Sequence, residues 1–392
     1  MSGFELTGEQ RELRALAGQV AREIYRPRAA EWGRDCTALP REEVARLAGL
    51  GFLGITLPER YGGHGGSLTD ALIVIEELAK ECRSAAFQVF EANVGPVRVV
   101  ELFGTEEQKQ RVIPRVVSGE LTMAIGISEP DAGSAATDMR TFARLDDREY
   151  VINGSKRWIS GGGHAGAYLV YCRLNDEPGA KGIGAIIVPN DAPGLTFGAQ
   201  ERLMGFRGIP SSDLYFDDVR VPAADLVVEA GGFPKLFGAF SIERLGNATM
   251  SLAIAQAALD RTVAYVQERH QFGRPLVEFQ NVQMTVADMA MQVEAARLLI
   301  HRAAVTRDGD LPVPYEVSVA KCFANEMAKR VSDLAMQLHG GNGYTEEYGI
   351  ERLHRDAHGW AIAGGTPSIQ RIRIAAEVFG RSFSQRPVEG VR

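Results

Sequence analysis

The sequence predicts an α+β chain built as an N-terminal helical domain, a middle β domain and a C-terminal antiparallel helical bundle. Three observations predict it. Apolar residues recur at helical spacing from about Leu6 to Arg115, the period falls to two from about Thr122 to Val228, and long helical stripes return from about Pro234 to Gly380. Strands never alternate with helices as βαβ units, which argues against a dinucleotide-binding doubly wound sheet. At 392 residues the chain exceeds what one hydrophobic core serves. The expected domains are 1–120, 121–232 and 233–392.

The first stretch opens with Thr7 three residues before Gln10, a capping-box pattern, and continues through Leu13, Leu16, Val20 and Ile24. Gly62, Gly63, Gly65 and Gly66 interrupt it; they do not show the strand-then-helix setting of a phosphate cradle, so they read as a structural turn. In the middle stretch Tyr150-Val151-Ile152 runs into Asn153-Gly154, a strong hairpin-turn signal. Further strands are expected at Ala167–Leu174, Ile183–Val188 and Leu214–Val221. Three stripes follow: Leu245, Leu252, Leu259, Val263 and Val266; then Val282, Val286, Met289, Val293 and Ile300; then Phe323, Met327, Val331, Leu334 and Leu338. Each faces a common core in an antiparallel bundle.

A formal charge of −7 argues against a nucleic-acid surface, which needs surplus Lys and Arg to neutralise phosphates. No apolar run reaches membrane-spanning length, and the first ten residues carry neither a basic nor an apolar leader segment. A cytoplasmic location is expected. Cys36, Cys82, Cys172 and Cys322 stand far apart and read as buried thiols. His354 and His358 have ligand-like helical spacing but no third ligand, so they read as structural and no metal is expected.

Five segments are too polar and Gly-rich for their surroundings: Ile125 to Ser134 (IGISEPDAGS), Trp158 to Ser160 (WIS), Glu268 to Pro275 (ERHQFGRP), Met336 to Tyr344 (MQLHGGNGY) and Gly364 to Arg371 (GGTPSIQR). In this order and at these separations they resemble the flavin-binding set of the acyl-CoA dehydrogenase family, over roughly Leu6 to Gly380. The resemblance implies FAD. Ile125, Ile127, Ser128, Gly133 and Ser134 match positions along the isoalloxazine edge, with Trp158, Ile159 and Ser160 at a ring face and near N5. Arg269, His270, Gln271, Phe272, Phe279 and Gln280 match positions that hold the pyrophosphate and adenine. Gln337, Leu338, Gly340 and Gly341 match the segment that reaches a neighbouring subunit's FAD, and Thr366 and Ser368 match the last flavin motif. A homo-oligomer, of the family's tetrameric form, is implied, as is an electron-transferring flavoprotein that takes the electrons.

The chain departs from the commonest family pattern at the residue that removes the substrate's α-proton. Most members carry Glu two positions before the Thr of the last motif, where this chain has Gly364-Gly365-Thr366. Members of the long-chain and isovaleryl type instead carry a Glu followed by Arg near the start of the first C-terminal helix, and this chain reads Ser241-Ile242-Glu243-Arg244. Taken alone, Glu243 is an ordinary first-turn helix Glu favoured by the macrodipole. With Glu absent at 364, the resemblance makes Glu243 the base. It leaves the Gly364 N–H as a donor to the thioester carbonyl and Ser134, Ser241, Arg244 and Gly365 on the substrate side. The implied reaction converts an acyl-CoA to a trans-2-enoyl-CoA. An acyl or aminoacyl group on a carrier protein is the alternative substrate, a flavin-dependent monooxygenase the alternative reaction. A noncatalytic DNA-binding relative would need a basic C-terminal extension that this chain does not show.

Overall fold

Side-chain caps set where the first helices begin. The structure, a computed structural model, describes residues 5–305 and 311–383. Thr7 accepts from the Gln10 N–H while the Gln10 side chain accepts from the Thr7 N–H, so the predicted capping box starts α1 (Gly8–Val20). Ser67 with Asp70 and Thr105 with Gln108 repeat it at α4 (Leu68–Glu81) and α7 (Glu106–Val117). Between them lie α2 (Arg26–Arg34), α3 (Arg41–Gly49), α5 (Arg83–Asn93) and α6 (Pro96–Phe103). The glycines before α4 form a tight turn: a Cβ on Gly63 would lie 2.1 Å from the Leu57 carbonyl oxygen.

The middle region is one sheet of β1 (Met123–Gly126), β2 (Phe142–Asp146), β3 (Glu149–Ser160), β4 (Ala167–Arg173), β5 (Ile183–Pro189), β6 (Leu195–Phe197), β7 (Ser211–Pro222) and β8 (Leu226–Val228). Its order is β6-β7-β3-β2-β4-β5-β8, with β1 pairing in parallel with β4. Strand β4 is buried on both faces. Leu169 and Tyr171 pack towards the helices, whereas Tyr168, Val170 and Cys172 belong to a separate core within the β region.

The hairpin expected at Asn153-Gly154 lies elsewhere. Those residues sit inside β3, where a β-bulge shifts the register against β7 between Ile152 and Gly154. Gly154 is there for closeness, because a Cβ would meet Thr141 at 2.7 Å, and Asn153 pairs with Asp218 across the bulge. The turn joins β2 to β3 at Asp147, whose φ is +56°.

The C-terminal region comprises α8 (Phe233–Glu268), a small ribbon of β9 (His270–Gln271) and β10 (Arg274–Pro275), then α9 (Gln280–Ala304), α10 (Pro314–His339), α11 (Ile350–Ile362) and α12 (Pro367–Val378). From Arg244 to Ala255 every residue of α8 is buried, so it is the central post on which α4, α9, α10 and α11 pack. The stripes hold with two exceptions: Val263 and Phe323 are exposed, each at the edge of its stripe. Cys36 is exposed as well, contrary to expectation, and the other three cysteines are buried. His354 and His358 meet edge to face, and no metal-competent cluster occurs among the described residues.

Candidate active site

Glu243 lies ten residues into α8, beyond the reach of the helix N-terminus, so the first-turn explanation for its presence falls away. Its carboxylate rests on the loop between α11 and α12. Gly364 adopts φ +66°, and a Cβ built there would lie 2.8 Å from Glu243 Oε2 and 3.0 Å from Oε1. The carboxylate thus occupies the space that a side chain at 364 would claim.

Every carbonyl of this loop is tied back. The Arg244 Nε–H donates to the Gly364 carbonyl (3.3 Å), and Asn247 Nδ2 donates to that of Ala363 (3.2 Å). Lys321 Nζ donates to the Ala363 and Gly365 carbonyls, each at 2.9 Å, and Gln370 Nε2 to that of Gly365 (3.0 Å). Arg244 is buried with its guanidinium over the Phe237 and Phe240 rings, and the Ser241 side chain is buried too. Both therefore shape this wall as packed groups. Thr366 uses its hydroxyl to cap α12, while Ser368 is exposed on that helix.

Burial pushes the Glu243 carboxyl above its ordinary range, against the opposing pull of Lys321 and then Arg244. Its Oε2 is buried without a hydrogen-bond partner. Glu91 on α5 is a second such carboxyl, raised well above the usual range by burial and then by the charge of Glu243; its Oε2 is also unpartnered. A cavity of about 150 Å³ links Glu91, Phe87 and Met123 to Ser160 and Gly161 on the sheet. A larger cavity of about 450 Å³, lined by Arg34, Arg207 and Arg352 among others, contains none of the predicted site residues.

The sheet side is shaped by a second bulge. The β3–β7 register shifts again between Lys156 and Ile159, and Trp158 sits in it at φ +56° with its indole 55% exposed. Ile159 sends its side chain into the β core, so its main chain alone remains for a ligand. The loop after β1 is anchored from beneath: Lys156 Nζ donates to the Ile127 carbonyl (3.0 Å) and to Glu129 Oε1 (2.7 Å), and Glu129 accepts from the Arg140 and Thr141 N–H groups. Ile125 and Ile127 lean on the main core, Ser128 is half-buried, and Gly133 and Ser134 are exposed on this loop.

Arg269, His270, Gln271, Phe272, Phe279 and Gln280 lie on the hairpin beyond α8 and its lead into α9, and Gln337, Leu338, Gly340 and Gly341 on the last turn of α10 and the turn that follows. Tyr265 joins the two, donating to the His339 carbonyl and accepting from Asn342 Nδ2. A Cβ on Gly340 or Gly341 would meet nothing within 4 Å, so backbone is open to a ligand there; Gly343 instead packs against Met336 and His339. Along α8 this group lies roughly 40 Å from Glu243 at 1.5 Å per residue. The chain thus gathers two groups, and they do not meet.

Family models for the acyl-CoA dehydrogenase N-terminal, middle and C-terminal domains match residues 7–120, 124–219 and 230–379. The chain belongs to the acyl-CoA dehydrogenase family. It is 40% identical over 390 residues to a 3-sulfinopropanoyl-CoA desulfinase of Cupriavidus necator, covering 97% of this chain and 98% of that one. The structure of butyryl-CoA dehydrogenase from Megasphaera elsdenii superposes with a TM-score of 0.92 at 34% identity, covering 96% of this chain and 99% of that one. A glutaryl-CoA dehydrogenase from Mycobacterium smegmatis in complex with FADH2 gives 0.91 at 27%, covering 97% of each. As an acyl-CoA dehydrogenase family enzyme, the protein uses FAD. The end of β3 fits that cofactor: the bulge turns the Trp158 face outward to solvent, and Ser160 beside it lines the open cavity.

Lys321, Glu91, Asn247 and Lys156 went unnoticed in the sequence. Ser318, Lys321, Asn325 and Ser332 fall on one face of α10 at spacings of three, four and seven, inside an apolar stripe. Polar residues at core spacing were the signal for a buried network.

Proposed function

We propose that the protein catalyses FAD-dependent α,β-dehydrogenation of an acyl thioester, with Glu243 as the base. The observation that carries this reading is the seating of the Glu243 carboxylate where a side chain at Gly364 would be. Loss of the usual carboxylate and gain of another at one place is what a relocated base requires.

When bound, FAD would supply the hydride acceptor, held by Trp158, Ser160 and the 125–134 loop of its own chain. Glu243 takes the α-proton. Removal from water raises its basicity towards a carbon acid, and Lys321 keeps it ionisable. The tied-back 363–365 carbonyls leave the Gly364 N–H as the donor for the thioester oxygen, a contact that strengthens as enolate charge develops. Phe87, Met123 and Glu91 line the acyl side. The product is a trans-2-enoyl thioester.

Arg269 to Gln280 and Gln337 to Gly341 lie too far along α8 to reach the same flavin, which supports their serving a neighbour's FAD in a homotetramer. With FAD bound, an electron-transferring flavoprotein would be the partner that takes the electrons. Anaerobic mixing of FAD-loaded enzyme with saturated acyl-CoAs of graded length tests the reaction: flavin absorbance falls and a 2-enoyl thioester appears. Release of sulfite from 3-sulfinopropanoyl-CoA, with flavin unreduced by every saturated acyl-CoA, would replace dehydrogenation by desulfination.

A further inference from the structure

We infer that Lys321 is the positioning residue of this site: its ammonium group fixes the Ala363–Gly364 and Gly365–Thr366 peptides, which bracket the Gly364–Gly365 link, and provides the counter-charge beside which Glu243 ionises. The inference rests on the reading of Glu243 as the base.

Lys321 is fully buried on α10. A buried ammonium survives only if its protons are paired. Here three protons meet three acceptors: Asn325 Oδ1 (3.0 Å), the Ala363 carbonyl (2.9 Å) and the Gly365 carbonyl (2.9 Å). A neutral amine has two donors and one lone pair, so this shell of acceptors favours the charged form, while burial lowers the ammonium's pKa to about 8 against the pull of Glu243. Asn325 is itself held, donating to Asn247 Oδ1 (3.0 Å) and Ser251 Oγ (2.8 Å) on α8. The lysine cannot swing without breaking a network that spans α8, α10 and the loop.

All three partners are neutral, so hydrogen bonding leaves the positive charge uncompensated. The groups that face Glu243 are Lys321 from α10, Arg244 from α8, Glu91 from α5 and Tyr171 from β4, with Arg373 of α12 acting on Arg244. Glu91 opposes ionisation of Glu243. Of the two cations, Lys321 exerts the larger pull. Arg244 is already engaged with the Phe237 and Phe240 rings and the Gly364 carbonyl.

The backbone consequence follows from peptide planarity. In a trans peptide the carbonyl and the next N–H point in opposite directions. Lys321 and Asn247 draw the Ala363 oxygen towards α8 and α10, which turns the Gly364 N–H away from them. Holding the Gly365 oxygen as well prevents the glycine pair from rotating, although glycine alone would allow it. One side chain thereby sets both the proposed oxyanion donor and the charge of the base.

The test follows flavin reduction in FAD-loaded enzyme at saturating acyl-CoA across pH, for wild type, Lys321→Met, Lys321→Arg and Glu243→Gln. Lys321→Met should retain FAD, and the pH midpoint for reduction should rise by about one unit or more, the effect of removing a nearby opposite charge. Its rate near neutrality should fall at least about tenfold. Lys321→Arg should restore the midpoint while its limiting rate stays low, because a planar guanidinium cannot reproduce the three-acceptor shell. An unchanged midpoint in FAD-bound Lys321→Met overturns the inference. So does loss of FAD and fold in both lysine variants, which would assign the residue to folding alone. If Glu243→Gln stays inactive in either case, the proposed base stands and only the role of Lys321 falls; if Glu243→Gln matches wild type, the underlying reading fails first.

Discussion

Along α8, the turn that carries Glu243 is enclosed by α5, α10 and the 363–365 loop, whereas the turn that leads to Arg269 opens into an exposed hairpin. Around Glu243 each loop carbonyl has a donor, and the protein supplies its own counter-charges. At the far end Phe272 is 92% exposed and Tyr344 83%. The proposed assembly would cover these open aromatics with a neighbouring copy. On the proposed function, the chemistry is pre-organised within the chain, and the grip on the nucleotide half of the cofactor is left to assembly. Substitutions at the two ends should therefore fail in different ways.

Apart from loss of the base itself, the largest effect should come from Gly364→Ala. The methyl group meets the Glu243 carboxylate at 2.8 Å, and the φ of +66° adds about 1–2 kcal/mol of strain for a residue with a Cβ. Displacing a reacting group by about 1 Å costs on the order of 10²-fold. Stopped-flow reduction should slow by that factor while FAD content stays at wild-type level. A wild-type rate would separate Gly364 from the base.

At the other end, Phe272→Ser should leave the folded protomer unchanged, because the ring packs on Phe279 and little else. The expected loss is about tenfold in FAD retention on dilution, the size of one aromatic anchor lost from an interface. Flavin fluorescence read beside sedimentation tests this. Reduction that slows in a variant keeping its FAD would blur the distinction between the two ends.

The smallest effect is thermodynamic. Glu91 has a folded-state pKa well above its ordinary value, from burial and then the charge of Glu243. A raised acid contributes stability that is fully present below the ordinary carboxylate range and is lost as pH rises through the folded-state value. Glu91→Gln removes that loss. Its Tm should match wild type near pH 4 and exceed it by about 2 °C near pH 8. An offset that does not change with pH would make Glu91 a packing residue and nothing more.

Much of this was legible in the sequence. The order of domains follows from period alone, and Thr7 with Gln10 announced its helix. The proposed relocation of the carboxylate was suggested, through the family resemblance, by an absence at 364 paired with a presence at 243. What the sequence withheld were features created by distant pairing. Asn153-Gly154 carries a turn signature, yet β7 and Thr141 make it a bulge within a strand. Trp158 gains its outward aim from a register shift that no local pattern announces. Lys321 looks like a surface lysine until the Ala363 and Gly365 carbonyls arrive from forty residues away to meet it. A Glu at 364 would collide with any long side chain at 243, so it belongs with Glu243→Ala rather than with Glu243→Gln.

Glu243→Gln puts the central question most directly. It keeps the shape of the side chain and removes only the proton acceptor. Mixed anaerobically with its best acyl-CoA, the FAD-loaded variant should bind substrate yet reduce its flavin about 10²- to 10⁴-fold more slowly than wild type. Reduction at the wild-type rate would mean that Glu243 is not the base, and that its place over Gly364 serves packing alone.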